Sequence, residues 1–188
     1  MAERYPSQHR IMLVTPLPPT SDISTEDNAA VAPDWGNFAV NEATELPERP
    51  ETEDLRRLLH YWNARRGERA FPRRRDIDPL DFWYMIDRVA LTEVHDDPRR
   101  YRLRLVGGFW GRLVGFEATG MWLDDWPHPN QRKLTEDSYE KLVAGRVPRL
   151  ARRDSVVDYQ TLRYEIMLLP MSEDGSRVSM IVAGIGQH

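Results

Sequence analysis

From residue 89 onward the chain alternates short apolar strands with tight turns, and this order of elements constrains its fold more than any other feature. Val89–Val94 and Tyr101–Val106 read as two strands joined by a turn at Asp96-Asp97-Pro98. In the second, Tyr101, Leu103 and Leu105 alternate with Arg102 and Arg104, the pattern of a half-buried strand. Gly107-Gly108 ends it and a helical insertion follows. The insertion holds a short helix at Phe109–Val114, a turn-rich stretch from Gly115 to Pro129 with Trp122 and Trp126, and a helix over Gln131–Val143 stopping at Gly145. Three strands come next, at Val147–Val156, Tyr159–Leu169 and Val178–Ile185, with a two-residue turn at Asp174-Gly175 between the last two. Short links between strands require antiparallel pairing, so the fold class is α+β and not doubly wound.

Upstream, Thr52-Glu53-Asp54 supplies a helix N-cap and first-turn acids. Leu55, Leu58, Leu59 and Trp62 follow at i, i+3, i+4 and i+7, one face of an amphipathic helix that Gly67 terminates. Asp78 caps a second short helix at Leu80–Ile86, with Pro79 in its first turn. The first 50 residues differ: they hold seven of the 14 prolines, one of the 11 glycines, and three arginines against eight acids. We therefore expect residues 1–50 to be a disordered, acidic, proline-rich tail, and 51–188 to form one domain.

Several function classes fall away on composition. The chain has no cysteine, which removes disulfides, zinc–thiolate sites, iron–sulfur clusters and a thiol nucleophile. A net charge of −4 advertises neither nucleic acid nor a membrane, and no apolar run is long enough to span one. A cytoplasmic protein is the expectation. Only Lys133 and Lys141 stand against 24 arginines, a usage that suggests GC-rich, bacterial coding.

The local motifs lead mostly to structural roles. Gly107-Gly108-Phe109-Trp110-Gly111 opens a helix after a strand, but it lacks the G-x-G start and any following βαβ unit, so no dinucleotide site is read there. His128, beside Asp124 and Asp125, reads as a loop histidine among capping acids, and no metal site is expected. No nucleophile elbow is present, and we expect no enzymatic activity. The arginines within 56–75, including Arg65, Arg66, Arg69 and Arg73–Arg75, form the strongest local charge. They either contact a phosphate backbone or fix a loop to nearby acids such as Asp76 and Asp78.

A longer text is also visible. Val114-Gly115-Phe116-Glu117, then Gly120 through Asp125, then His128-Pro129-Asn130 resemble the middle of a PAS domain. Leu169-Pro170-Met171 with Asp174-Gly175 resembles its closing hairpin. Leu59-His60-Tyr61-Trp62, Pro72-Arg73-Arg74-Arg75-Asp76-Ile77-Asp78-Pro79 and Arg102-Leu103-Arg104-Leu105-Val106-Gly107 are similar to the proteobacterial PAS-like family, which reads L-x-x-Y-W, P-x-R-x-D-[IF]-x-P and R-L-V-G. The match spans about residues 54–185. It implies a five-stranded antiparallel sheet with helices on one face, preceded by an N-terminal helix, used to sense a signal or bind a partner. Asn130 stands where the pattern has an acid, and no cofactor is assigned.

The expected function is that of a stand-alone regulatory module binding a small apolar ligand, a signalling protein, or both. The alternatives are an interaction scaffold whose core is filled by its own side chains, and a nucleic-acid-binding protein using residues 56–75. For the ligand we expect a lining of Leu91, Phe109, Leu113, Trp122, Trp126, Met167 and Met180. The stripe Leu55, Leu58, Leu59 and Trp62 is expected to form a homodimer interface with a second copy, packing on its own sheet being the alternative.

Overall fold

The computed structural model describes residues 49–157 and 160–187. The expected tail lies outside the described residues except for Arg49 and Pro50, and Pro50 is already buried. Five strands form one antiparallel sheet: β1 (Val89–Val94), β2 (Tyr101–Val106), β3 (Arg149–Val157), β4 (Gln160–Met171) and β5 (Met180–Gln187), in the order β2-β1-β5-β4-β3. Three α-helices accompany it: α1 (Glu53–Arg66), α2 (Gly108–Val114) and α3 (Pro129–Gly145).

Helices α2 and α3 cover one face of the sheet, over Ala90, Leu103, Ile166, Leu168, Ile181 and Ala183. Helix α1 and the segment Pro79–Arg88 cover the other, over Val89, Leu91, Met167, Leu169 and Val182. Successive residues of each strand point to opposite faces, so the two sets interleave along the same strands. The β1–β2 register skips one residue: Leu91 lies opposite Leu105, and Thr92 opposite Leu103. This bulge ends the simple alternation expected for β2, because Leu105 joins the α1 side while Leu103 stays under α3.

The α1 stripe is core. Leu55, Leu58 and Trp62 are 0%, 1% and 3% exposed, and Leu59 packs half-buried beside them. These residues are therefore spent within the chain and cannot serve as the dimer interface expected from the sequence. Gly184 of β5 makes the approach possible, since a Cβ there would lie 2.6 Å from Leu58 Cδ2 and 3.1 Å from Leu55 Cδ2. The Trp62 indole N–H donates to the Pro170 carbonyl at 2.9 Å, tying the far end of the helix to β4.

The start of α1 is held in an unexpected way. Thr52 occupies the cap position, yet its hydroxyl does not cap the helix; it donates to Glu165 on β4 at 3.1 Å. The fully buried Glu165 carboxylate also accepts from the backbone N–H groups of Glu51 and Thr52, each at 3.0 Å. A side chain distant in sequence thus satisfies donors that open this helix. At Pro79–Arg88, Asp78 caps as expected, accepting from Leu80 N at 2.9 Å. The segment is a run of short 3-10 turns broken by non-helical backbone at Phe82 and Met85. Phe82 and Met85 face the core, while Leu80, Trp83 and Ile86 remain exposed at 75%, 72% and 42%.

Candidate functional site

Helix α3 presents Thr135, Ser138, Tyr139 and Leu142 to the sheet, at the three- and four-residue spacing of one helical face. On β3 the alternation turns Ala151, Arg153 and Ser155 the same way, with Arg153 opposite Tyr164 of β4. Between these elements and α2 lie three small adjoining cavities. The innermost, about 20 Å³, is enclosed by Ala90, Val106, Trp110, Val114, Ala118, Trp126 and Tyr139, among others. A second, about 40 Å³, lies against Leu113, Trp126, Gln131 and Tyr164. The third, about 140 Å³, runs between α3 and β3–β4 to Asp137, Lys141 and Arg149. Arg153 lines all three.

Hydroxyls pair across the walls: Thr92 Oγ1 with Tyr139 Oη at 3.1 Å, and Ser155 Oγ with Tyr164 Oη at 3.1 Å. The Tyr101 ring meets Tyr139 edge-on at 5.2 Å. Burial raises the phenol pKa of Tyr139 and Tyr164, and pushes that of Tyr101 up to about 12 against the opposing charge of Arg100. Burial also pulls Arg153 below its ordinary range, with the Tyr164 and Tyr139 hydroxyls acting the other way. Its Nη2 donates to Ser138 Oγ at 3.0 Å. Arg153 Nε, Trp126 Nε1, Tyr101 Oη and Gln131 Oε1 are buried without a partner among the described residues.

The expected lining is split by the structure. Trp126 lines the two inner cavities and Leu113 the second. Phe109 belongs to the same core but not to a cavity wall. Trp122 sits half-buried at the outer edge of the sheet, bridged to Arg102, with the Arg99 guanidinium 5.0 Å from its ring and the His95 ring tilted against it at 5.0 Å. Leu91, Met167 and Met180 face α1 on the opposite side of the sheet. Each is one residue out of phase with a strand neighbour (Ala90, Ile166 or Leu168, and Ile181) that does face α2 and α3. Arg153, Tyr139 and Trp110 were missed. The α3 spacing points to Tyr139, whereas nothing in Arg152-Arg153 says which arginine turns inward.

The arginine-rich segment is drawn into the fold. Arg65 pairs with Asp81 and Arg69 with Asp76, both at 2.8 Å, and Arg74 donates to the Ile77 carbonyl. Arg57 lies 3.7 Å from the centre of the Tyr84 ring and Arg66 5.4 Å from that of Trp62. His128 stands at the start of α3 with its ring 5.8 Å from Phe116, and Asp125 pairs with Arg99. Among the described residues no three His, Asp or Glu side chains gather as metal ligands, and no helix is long and apolar enough to cross a membrane.

A family model described as PAS domain matches residues 50–185, which takes in the whole sheet, α1 and the cavity walls. The chain belongs to the PAS domain family. A comparison with curated proteins found no match. PAS domains are sensory and regulatory modules, typically non-catalytic, that bind ligands and mediate protein interactions. In this PAS domain the space between the sheet and α2–α3 is the cavity set described above, walled chiefly by aromatic and aliphatic side chains.

Proposed function

We propose that this PAS domain is a non-catalytic regulatory module that senses a small molecule in the cavities between its sheet and helices α2–α3, and passes the result to a protein partner. The observation that carries the reading is a concave, mostly apolar space with a few convergent polar groups, the usual make-up of a ligand site. Trp110, Leu113, Val114 and Trp126 supply the apolar wall, and Ser138, Tyr139 and Arg153 the polar points. Native mass spectrometry of the purified full chain is expected to show a bound small molecule. Ala118→Val, which fills the innermost cavity, is expected to lose it while the protein stays folded. A wild type without added mass, and without any small-molecule stabilisation in a thermal screen, overturns the reading.

One observation favours the rival reading of a scaffold with a filled core. The innermost cavity, about 20 Å³, holds about one water. Under that reading Ala118→Val alters neither bound mass nor partner binding.

A further inference from the structure

Arg153 is where the three cavities meet. A guanidinium stays charged at any pH the protein meets, and a charge taken out of water calls for an opposite charge. Among the described residues no acid on the walls pairs with it. Nη2 reaches the neutral Ser138 hydroxyl, already committed as a donor to the Leu134 carbonyl at 2.7 Å, and the next group is the Tyr164 hydroxyl. Nε donates to nothing, and among the described residues no Asp or Glu lies within ion-pair distance of Arg153. Asp137, the acid on the cavity wall, pairs with Lys133 at 3.3 Å.

Two further features point the same way. Trp126 Nε1, a second buried donor without a partner, lines two of the cavities that Arg153 lines. The outer cavity, through which a ligand reaches Arg153, carries Lys141 and a single acid, Asp137, which Lys133 already pairs. Gln131 Oε1 is unpartnered as well, and its amide offers an oxygen or N–H groups according to how it turns. The set holds donors and positive charge with the acceptor missing.

We propose that the cavity takes a small organic carboxylate, its acid group paired with Arg153 and its apolar body in the outer cavity against Leu134, Ala151, Ile166 and Leu168. This rests on the ligand-binding reading above and narrows it to one chemical class. The outer cavity, about 140 Å³, admits a short or single-ring acid and not a nucleotide.

The test is calorimetric titration of the full chain with benzoate and hexanoate, and with benzamide and hexanamide as neutral counterparts of the same shape. The expected result is saturable binding of at least one acid, at least tenfold weaker binding of its amide, and at least tenfold loss of acid binding in Arg153→Gln. The unliganded Arg153→Gln protein is expected to melt no lower than wild type, because an uncompensated charge has been removed. Amides that bind as well as acids, with Arg153→Gln indifferent, overturn the carboxylate inference and leave the ligand cavity standing. An Arg153→Gln protein that melts far lower, with wild type failing to prefer acids, makes the arginine a structural hydrogen-bond hub. No binding by any of the four probes, together with no bound mass in native spectra, removes both readings. The acid-against-amide comparison is made on wild type, so the test holds even if the variant fails to fold.

Discussion

The buried Glu165 carboxylate makes a sharp prediction, because one side chain fastens the start of α1 to the sheet. It accepts from Glu51 N, Thr52 N and Thr52 Oγ1, all within 3.1 Å, and is fully buried. Glu165→Gln keeps one accepting oxygen and turns an amide N–H₂ toward the remaining donors. The loss is about one hydrogen bond to a charged group, roughly 1.5–3 kcal/mol, plus about 1–3 kcal/mol for a buried donor left unsatisfied. A net cost of about 3–5 kcal/mol is expected, which at about 3–4 °C per kcal/mol lowers the melting temperature by roughly 10–20 °C. Thr52→Val removes only the hydroxyl bond and should cost about 1 kcal/mol. Circular dichroism melts measure both. Hydrogen exchange on Glu165→Gln should show α1 amides losing protection before those of β1 and β5. A Glu165→Gln melting shift below about 3 °C, or one no larger than that of Thr52→Val, would refute the claim that this carboxylate is the helix's anchor.

Other positions give simpler tests. A Cβ on Gly107 would lie 2.2 Å from the Asp87 carbonyl oxygen, whereas one on Gly184 meets only the ends of Leu and Met side chains. Gly107→Ala is therefore expected to destabilise more than Gly184→Ala, whose cost should be about 1–3 kcal/mol by urea denaturation. Trp126→Ala should cost about 3–5 kcal/mol, and Trp122→Ala, at the sheet's outer edge, clearly less. Tyr101 carries a buried hydroxyl without a partner, so Tyr101→Phe should match or exceed wild-type stability at neutral pH. Because burial raises its folded pKa to about 12, Tyr101 contributes stability that is fully present below the unfolded value near 10 and is lost as pH rises toward 12. Tyr101→Phe should flatten that alkaline loss in melts recorded across this range. With the α1 stripe buried, the exposed large apolar side chains among the described residues are Leu80, Trp83 and Ile86, close together in one segment, and Val147. Light scattering is expected to show a dimer that Trp83→Glu makes monomeric, and a monomeric wild type removes self-association.

Most of the fold was legible because its signals are local. Alternation and turn residues gave β1 and β2 their bounds and placed the other three strands within two residues. The Asp78-Pro79 cap and the Gly67 stop likewise depend only on neighbouring residues. What was not legible depends on residues distant in sequence. Glu165 sits 113 positions from the Thr52 hydroxyl it receives, and nothing in Tyr164-Glu165-Ile166 announces a helix anchor. Arg153 and Arg152 are identical in local text; only the pairing of β3 with β4 and the seat of α3 turn one inward and leave the other exposed. At Pro79–Arg88 the capping signal is legible, but the breaks in the helical backbone at Phe82 and Met85 have no local signature.

The misplaced cavity wall and the expected α1 dimer have a single cause. In a sheet with one buried face, polar residues mark the other face, and phase can be read from the alternation. Here β5 runs Met180-Ile181-Val182-Ala183-Gly184-Ile185 and is buried at every one of these positions, while β4 is buried from Tyr164 to Met171. Such runs carry no phase, so Met167 and Met180 are as plausible on one face as on the other. Taking all helices to lie on one face assigns them to the ligand side and leaves α1 with nothing of its own to cover. Placing α1 on the second face reverses both conclusions together: Leu91, Met167 and Met180 become the floor on which Leu55, Leu58 and Trp62 rest. The side chains that then face α2 and α3 from the central strands are small or branched (Ala90, Ile166, Ile181, Ala183), and the polar group among them comes from the edge strand, as Arg153.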